Sequence, residues 1–243
     1  MRVTRLFVNS PLDTDSDTEL DNEHAHYLRS VLKLSVGDPV ALFDGKGGEY
    51  RGAIRLLEKK RAVVHLQEFN AIERESPLSI HLGVGVSRGD RMDFSLQKAT
   101  ELGVSAITPI LTSRCEVKLP GARGIKKVLH WQKVVNSACQ QSHRTRIPHV
   151  AQITELSSWL LTNREGMKLV LDNNSNTGFR AIDKKDGPII VLVGPEGGLE
   201  TSEIGAAKLA GFESLNLGPR ILRTETAPLV AISILQSLWG DIQ

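Results

Sequence analysis

Two stretches near the C-terminus hold the residue types best suited to gripping a small molecule. They are Val193-Gly194-Pro195-Glu196-Gly197-Gly198 and Leu217-Gly218-Pro219-Arg220-Ile221-Leu222-Arg223-Thr224-Glu225-Thr226. Each follows an apolar run and precedes a helical pattern. Glycine lets backbone approach a ligand, and proline stiffens the loop that carries it. Paired loops of this kind belong at the carboxyl edge of a parallel sheet, where open α/β folds bind ligands. The first loop lacks a Gly-Lys-Ser/Thr phosphate grip, and Glu196 repels a triphosphate. A neutral or cationic ligand with an adenosine-like group suits it better; spacing alone leaves a pair of tight structural turns as the alternative. In the second loop, Thr224 or Thr226 can cap the last helix and Glu225 can complement its dipole. Neither explains two arginines, Arg220 and Arg223, at the loop mouth, where guanidinium commonly grips phosphate or carboxylate.

Other motifs exclude more than they assign. Gly83-Val84-Gly85-Val86-Ser87-Arg88-Gly89 brings its third glycine one residue too late for a dinucleotide fingerprint, and no acid follows for a ribose. The seven histidines show no metal-binding spacing, so no metal is expected, and His81 in an apolar run reads as a packed residue. No Ser sits in a G-x-S-x-G elbow. The two cysteines, Cys115 and Cys139, are too few for a disulfide framework and read as inert thiols of a reducing, cytoplasmic setting. No apolar run reaches the ~18 residues of a membrane span, and the N-terminal residues do not read as a secretory signal.

The elements that position these loops change in texture along the 243 residues. Residues 1–72 hold short β-like runs at Val3–Val8, Pro39–Phe43, Glu49–Leu57 and Ala62–Gln67, with Asp44–Gly48 as a hairpin signal and one helix over Glu23–Leu34. They read as a small β-barrel with an inserted helix. Acidic Asp13–Glu23 reads as an exposed loop, and Glu73–Pro77 as a linker. From residue 73 to 243, strands at Leu78–Val86, Val104–Leu111, Met167–Leu171, Pro188–Val193 and Ser214–Leu217 alternate with helices at Asp90–Leu102, Gly124–Ser142, Glu200–Ala210 and Ala227–Trp239. Thr154 is expected to cap a further helix to Thr162, and Ile125, Val128, Leu129, Val135 and Cys139 to share the long helix's apolar side. This alternation predicts an α/β domain with a mostly parallel sheet covered on both faces. A net charge of +2 is unremarkable, but cations cluster at Arg88/Arg91/Lys98, Arg114/Lys118, Arg123/Lys126/Lys127 and His143/Arg144/Arg146. Together these can form a phosphate-binding face.

The two loop motifs, with Ser87-Arg88-Gly89-Asp90-Arg91-Met92, Gln97–Val104, Ser113–Lys118, Arg2–Phe7 and His26–Arg29, resemble the bacterial 16S ribosomal RNA uridine N3-methyltransferase family of the SPOUT superfamily. The resemblance spans essentially the whole chain. It implies a PUA-like RNA-binding β-barrel followed by a methyltransferase domain with a deep trefoil knot, and a homodimer acting on 16S rRNA. It also implies S-adenosylmethionine as cofactor, held by Leu171, Val193, Gly194, Pro195, Glu196, Gly197 and Gly198, and by Leu217, Gly218, Ile221, Leu222, Arg223 and Thr226. The chain departs from the family at Gln140, where an acid is usual, and at His143, where a glycine turn is usual.

Uridine N3 carries a proton and attacks poorly until it is lost. A cation that stabilises the uridine anion helps, by the logic of an oxyanion hole. Arg223 is the candidate for that role, with Glu225 holding it or acting as base. Arg88, Arg91, Arg114, Arg144 and Arg146 read as RNA contacts. The competing class is an RNA-binding ribosome-assembly factor with a vestigial donor pocket, and donor binding separates the two.

Overall fold

The computed structural model describes residues 3–117, 119–162 and 165–243; Arg2 of the N-terminal motif and Lys118 of the basic clusters lie outside them. The chain divides into two compact units. One is the chain up to Glu75 together with Cys139–Ile147, and the other is Ser76–Ala138 together with Pro148–Gln243.

In the first unit, β1 (Thr4–Phe7), β2 (Asp17–Leu20), α1 (Asn22–His26), β3 (Pro39–Phe43), β4 (Glu49–Leu57) and β5 (Ala62–Asn70) build a five-stranded sheet in the order β1-β3-β4-β5-β2. Its core gathers Leu6, Leu20, Leu28, Val40, Leu42, Ile54, Val64 and Leu66 on one face. The expected hairpin at Asp44–Gly48 joins antiparallel β3 and β4, with Gly45, Gly47 and Gly48 all at positive φ.

Two expectations fail in this unit. Asp13–Glu23 is no plain loop, because β2 pairs antiparallel with β5. Thr18 and Leu20 turn inward. Asp17 meets Arg55 and His65 across the sheet, and Glu19 meets Arg61. Acidity masked a strand whose outward residues pair with cations of neighbouring strands. The helix over Glu23–Leu34 stops being α after His26 and continues as a π-helical turn over Tyr27–Val31. Leu28 stays buried and Leu32 packs on the core, while Val31 is turned out.

The second unit holds β6 (Ile80–Gly85), α2 (Asp90–Glu101), β7 (Ala106–Leu111), α3 (Ala122–Ser142, whose last turn belongs to the first unit), β8 (His149–Val150), β9 (Thr154–Glu155), α4 (Leu156–Leu161), β10 (Met167–Leu171), β11 (Ile189–Val193), α5 (Thr201–Leu209), β12 (Glu213–Leu215) and α6 (Ala227–Trp239). Its sheet runs β12-β10-β11-β6-β7-β8, every pairing parallel, with β9 also on β7. Ile190 and Leu192 of β11 pack with Trp159 and Ala207 from α4 and α5. The opposite face meets α6, which also packs on α2. All five residues of β11 are therefore buried, as a strand covered on both faces requires.

Thr154 does not cap α4; it pairs with Ile110 in β9, and Glu155 takes the N-cap position without a side-chain bond. The apolar side of α3 also differs from expectation. Val128, Trp131, Val135 and Cys139 are buried, whereas Ile125 and Leu129 are exposed. Trp131, the largest apolar side chain of the helix, sets which stripe faces in. Among the described residues no helix is long and apolar enough to cross a membrane.

Candidate active site

The parallel sheet delivers its strand ends to one edge, where a cavity of about 580 Å³ opens. The predicted cofactor residues Leu171, Val193, Gly194, Pro195, Glu196, Gly197 and Gly198 line it, with Ile221, Leu222 and Arg223 from the second loop. Leu217, Gly218 and Thr226 do not. Gly218 holds a positive φ with its N–H on Asn216 Oδ1, and Thr226 occupies the N-cap of α6 without a side-chain bond. Sequence reading missed Asp172, Asn173, Asn174 and Leu199, which also line the cavity.

Close backbone packing shapes the cradle. A Cβ on Gly85 would stand 2.4 Å from Pro195 N, and one on Gly194 would stand 2.9 Å from Leu199 N. A Cβ on Gly83 would strike the Trp159 ring at 2.6 Å. The Gly83/Gly85 pair thus serves packing of the sheet on α4 and on the first loop. Thr224 joins the two loops. Its hydroxyl donates to Gly194 O at 3.0 Å and lies 3.2 Å from Ser87 Oγ, which in turn donates to Gly85 O.

The charged residues sort differently from expectation. Glu196 Oε1 accepts from the Arg88 N–H at 2.9 Å and lies 3.5 Å from Arg91, so it braces its loop. Arg114 donates to Gly197 O at 2.9 Å, and its stem lies against Gly197; it too supports the loop. The Arg88 guanidinium meets Glu116 at 2.8 Å. Arg223 reaches outward, 81% exposed, with Nη1 3.9 Å from Glu225 Oε1. Glu225 Oε2, by contrast, is buried and has no hydrogen-bond partner.

Arg144 and Arg146 belong to the first unit and do not line this cavity. Arg144 is a correction to the RNA-contact set: it is 6% exposed, and its guanidinium closes on Glu75, with Nε at 2.9 Å. A buried guanidinium held this way is not presented to a phosphate. Arg146 keeps an exposed side chain, with Nε on Glu73 at 3.0 Å. Gln140 Oε1 accepts from the Phe7 N–H, a structural contact within the first unit. His143 adopts φ 64°, so the left-handed turn persists without the family's glycine. Histidine is among the residues that tolerate this region best. Burial pushes the Cys139 thiol up to about 12, which keeps it unreactive. Cys115 is only half-buried.

The cavity suits a ligand rich in hydrogen-bond donors with an apolar ring system. Leu171, Leu199 and Leu222 supply apolar wall, the glycines leave room, and Asp172 and Glu225 bring carboxylates to the lining. S-adenosylmethionine, with its amino, hydroxyl and adenine N–H groups and a sulfonium cation, meets that description. Among the described residues no group of three or more His, Cys, Asp or Glu side chains gathers as a metal site.

A family model described as an RNA methyltransferase domain matches residues 74–236. The chain belongs to this RNA methyltransferase family. A second model, an RNA methyltransferase PUA domain, matches residues 20–67 of the same methyltransferase. Its sequence is 31% identical to Ribosomal RNA small subunit methyltransferase E of Buchnera aphidicola, over 99% of this chain and 98% of that one. Among solved structures, Ribosomal RNA small subunit methyltransferase E of Neisseria gonorrhoeae, bound to S-adenosyl methionine, is 39% identical with a TM-score of 0.94, covering 100% of both chains. A putative methyltransferase of Legionella pneumophila with bound SAM is 35% identical with a TM-score of 0.96, again over 100% of both.

Proposed function

We propose that this RNA methyltransferase uses S-adenosylmethionine to methylate N3 of a uridine in the 16S rRNA of the small ribosomal subunit. The observation that carries the reading is the cradle joined by Thr224, with Glu225 among its lining residues. The donor supplies an electrophilic methyl group when bound. The chain's part is to hold the reactants in line, which lowers the entropic share of the barrier. Val193–Gly198, Leu171, Ile221 and Leu222 would hold the donor. Glu225 would accept the N3 proton, and the exposed Arg223 would stabilise the uridine anion. Arg88, Arg91 and Arg146 would meet phosphates of an extruded strand. A homodimer, a cytoplasmic setting, closure of the first unit's sheet into a PUA-like barrel, and a trefoil knot in the second unit belong to the same reading. In favour of the knot, the chain leaves edge strand β12 and returns to the sheet centre, where α6 packs on β6 and β11.

Two measurements test this. Calorimetric titration with S-adenosylmethionine should show binding; its absence would favour the RNA-binding assembly factor. Nucleoside mass spectrometry of 16S rRNA after incubation should show 3-methyluridine. Arg223→Ala should lower kcat by about 10²–10³ while the donor still binds, and Glu225→Gln by about 10²–10⁴. Normal turnover by Arg223→Ala would remove that residue from the chemistry.

A further inference from the structure

We propose that Phe69, at the end of the first unit's sheet, is a stacking platform for one unpaired base of the RNA substrate, with Lys46 and Arg146 meeting the adjoining phosphates. The proposal rests on the reading that RNA is the substrate. It concerns the first unit, whereas the cradle loops belong to the second.

A bulge in β5 creates the platform. Gly52 pairs with Leu66 and Arg51 with Glu68, so Gln67 is an extra residue on its strand. Without it, strand alternation would send Phe69 to the side opposite Leu66. With it, Phe69 stands opposite Tyr50 on the face that carries Leu66 and Val64. Bulges re-aim side chains in this way. The core ends at Tyr50, which packs against it, and Phe69 lies one step beyond, 45% exposed. The ring is nevertheless fixed. Its centroid is 4.8 Å from that of Tyr50, and its tip lies on Gly48, where a Cβ would stand 2.5 Å from Cζ. An exposed ring held on one side leaves its other side open to a flat partner.

The next residue back along the loop carries a cation. The Arg146 guanidinium lies on Gly47, where a Cβ would meet Nη2 at 3.1 Å. Lys46 pairs with Arg146 as a β-bridge and extends its ammonium into solvent, 74% exposed. Glu73 on Arg146 Nε, Glu75 on the Arg146 N–H, Asp44, 3.7 Å from Lys46, and Glu49, paired opposite Asn70, bring acids to this corner. A fixed aromatic face beside cations is the combination that binds single-stranded nucleic acid. Stacking there tolerates any base and the cations follow the backbone. A duplex keeps its bases stacked on each other and cannot offer one to Phe69.

The test uses the full chain and two fluorescent probes, hexaadenylate and a 12-base-pair RNA duplex, with anisotropy as the readout. Phe69→Leu keeps apolar cover over Gly48 but loses the π face; Phe69→Tyr keeps it. We expect Phe69→Leu to bind hexaadenylate about 5- to 150-fold more weakly, the equivalent of roughly 1–3 kcal/mol per stacked base. Phe69→Tyr should bind as wild type, and duplex affinity should not change. Lys46→Ala should reduce the salt dependence of hexaadenylate binding by about one phosphate contact. S-adenosylmethionine affinity and the melting temperature, measured on every variant, report intact folding. Equal hexaadenylate affinity in the Leu and Tyr variants overturns the platform, as does a wild type that binds no hexaadenylate. Methyl transfer to 16S rRNA is assayed separately. Its absence in wild type counts against the proposed function, whereas its presence beside a Leu variant that binds normally removes only the platform.

Discussion

Thr224 is the side chain on which the two cradle loops meet, and its role was open in the sequence. A threonine before a helix suggests a cap, yet this one spends its hydroxyl on Gly194 O and Ser87. Thr224→Val removes the donor at constant shape and leaves the carbonyl of Gly194 short of a partner. We expect a stability loss of about 1–3 kcal/mol by chemical denaturation, with weaker S-adenosylmethionine binding by calorimetry. Thr224→Ser should retain both. Glu196 and Arg114 teach a related lesson. Their types and positions suggested direct contacts with donor and RNA, but only the folded chain brings Glu196 to the Arg88 N–H and Arg114 to Gly197 O. Glycines were easier to find than to explain. Gly83 and Gly85 looked like a failed nucleotide motif until Trp159 and Pro195 were seen against them.

Strands and helices with strong periodicity were legible, and those with mixed signals were not. The final helix, Ala227–Trp239, begins and ends where the pattern predicts, with Pro228 in its first turn. β2 was hidden because its outward residues are acids, whose partners come from strands far along the chain. Hydrogen bonding from His65 holds the Asp17 carboxyl below its usual range, and the Arg55 charge adds to this. A carboxylate with a depressed native pKa stabilises the fold above its unfolded value, near 3.9, and loses that contribution as pH falls through the lower native value. Melting curves between pH 6 and pH 2 (approximate limits set by those carboxylate values) should therefore fall more steeply for wild type than for Asp17→Asn. Parallel curves would mean that the pair contributes nothing.

The chain divides within Glu73–Pro77, where its composition changes, but not there alone. Charge and proline at Glu73–Pro77 suggested a plain linker, but Glu73 and Glu75 gather residues 144–146 into the first unit. Arg5 adds to this by donating to the carbonyls of Cys139 and Arg144 while its guanidinium stacks 3.8 Å over Phe43. The segment Cys139–Ile147 thus completes the first unit from far along the sequence. Breaking a buried ion pair from one side leaves an uncompensated charge. Arg144→Met should accordingly cost about 3–5 kcal/mol of stability, read by denaturation and by faster amide exchange in the β1 and β3 amides. Unchanged exchange there would show that the first unit holds without this pair.

Periodicity, glycine-proline loops and motif chemistry determined the α/β class, the order of the strongly periodic strands and helices and the two loops that line the cavity, because those signals are local. Pairing partners thirty to a hundred and forty residues apart were decided only in three dimensions (separations such as Thr224 with Gly194, or Arg5 with Arg144). Side-chain roles followed from them: which arginine is buried, and which acid braces a loop. A residue's type limits what it can bond to, but its burial and its neighbours decide what it does.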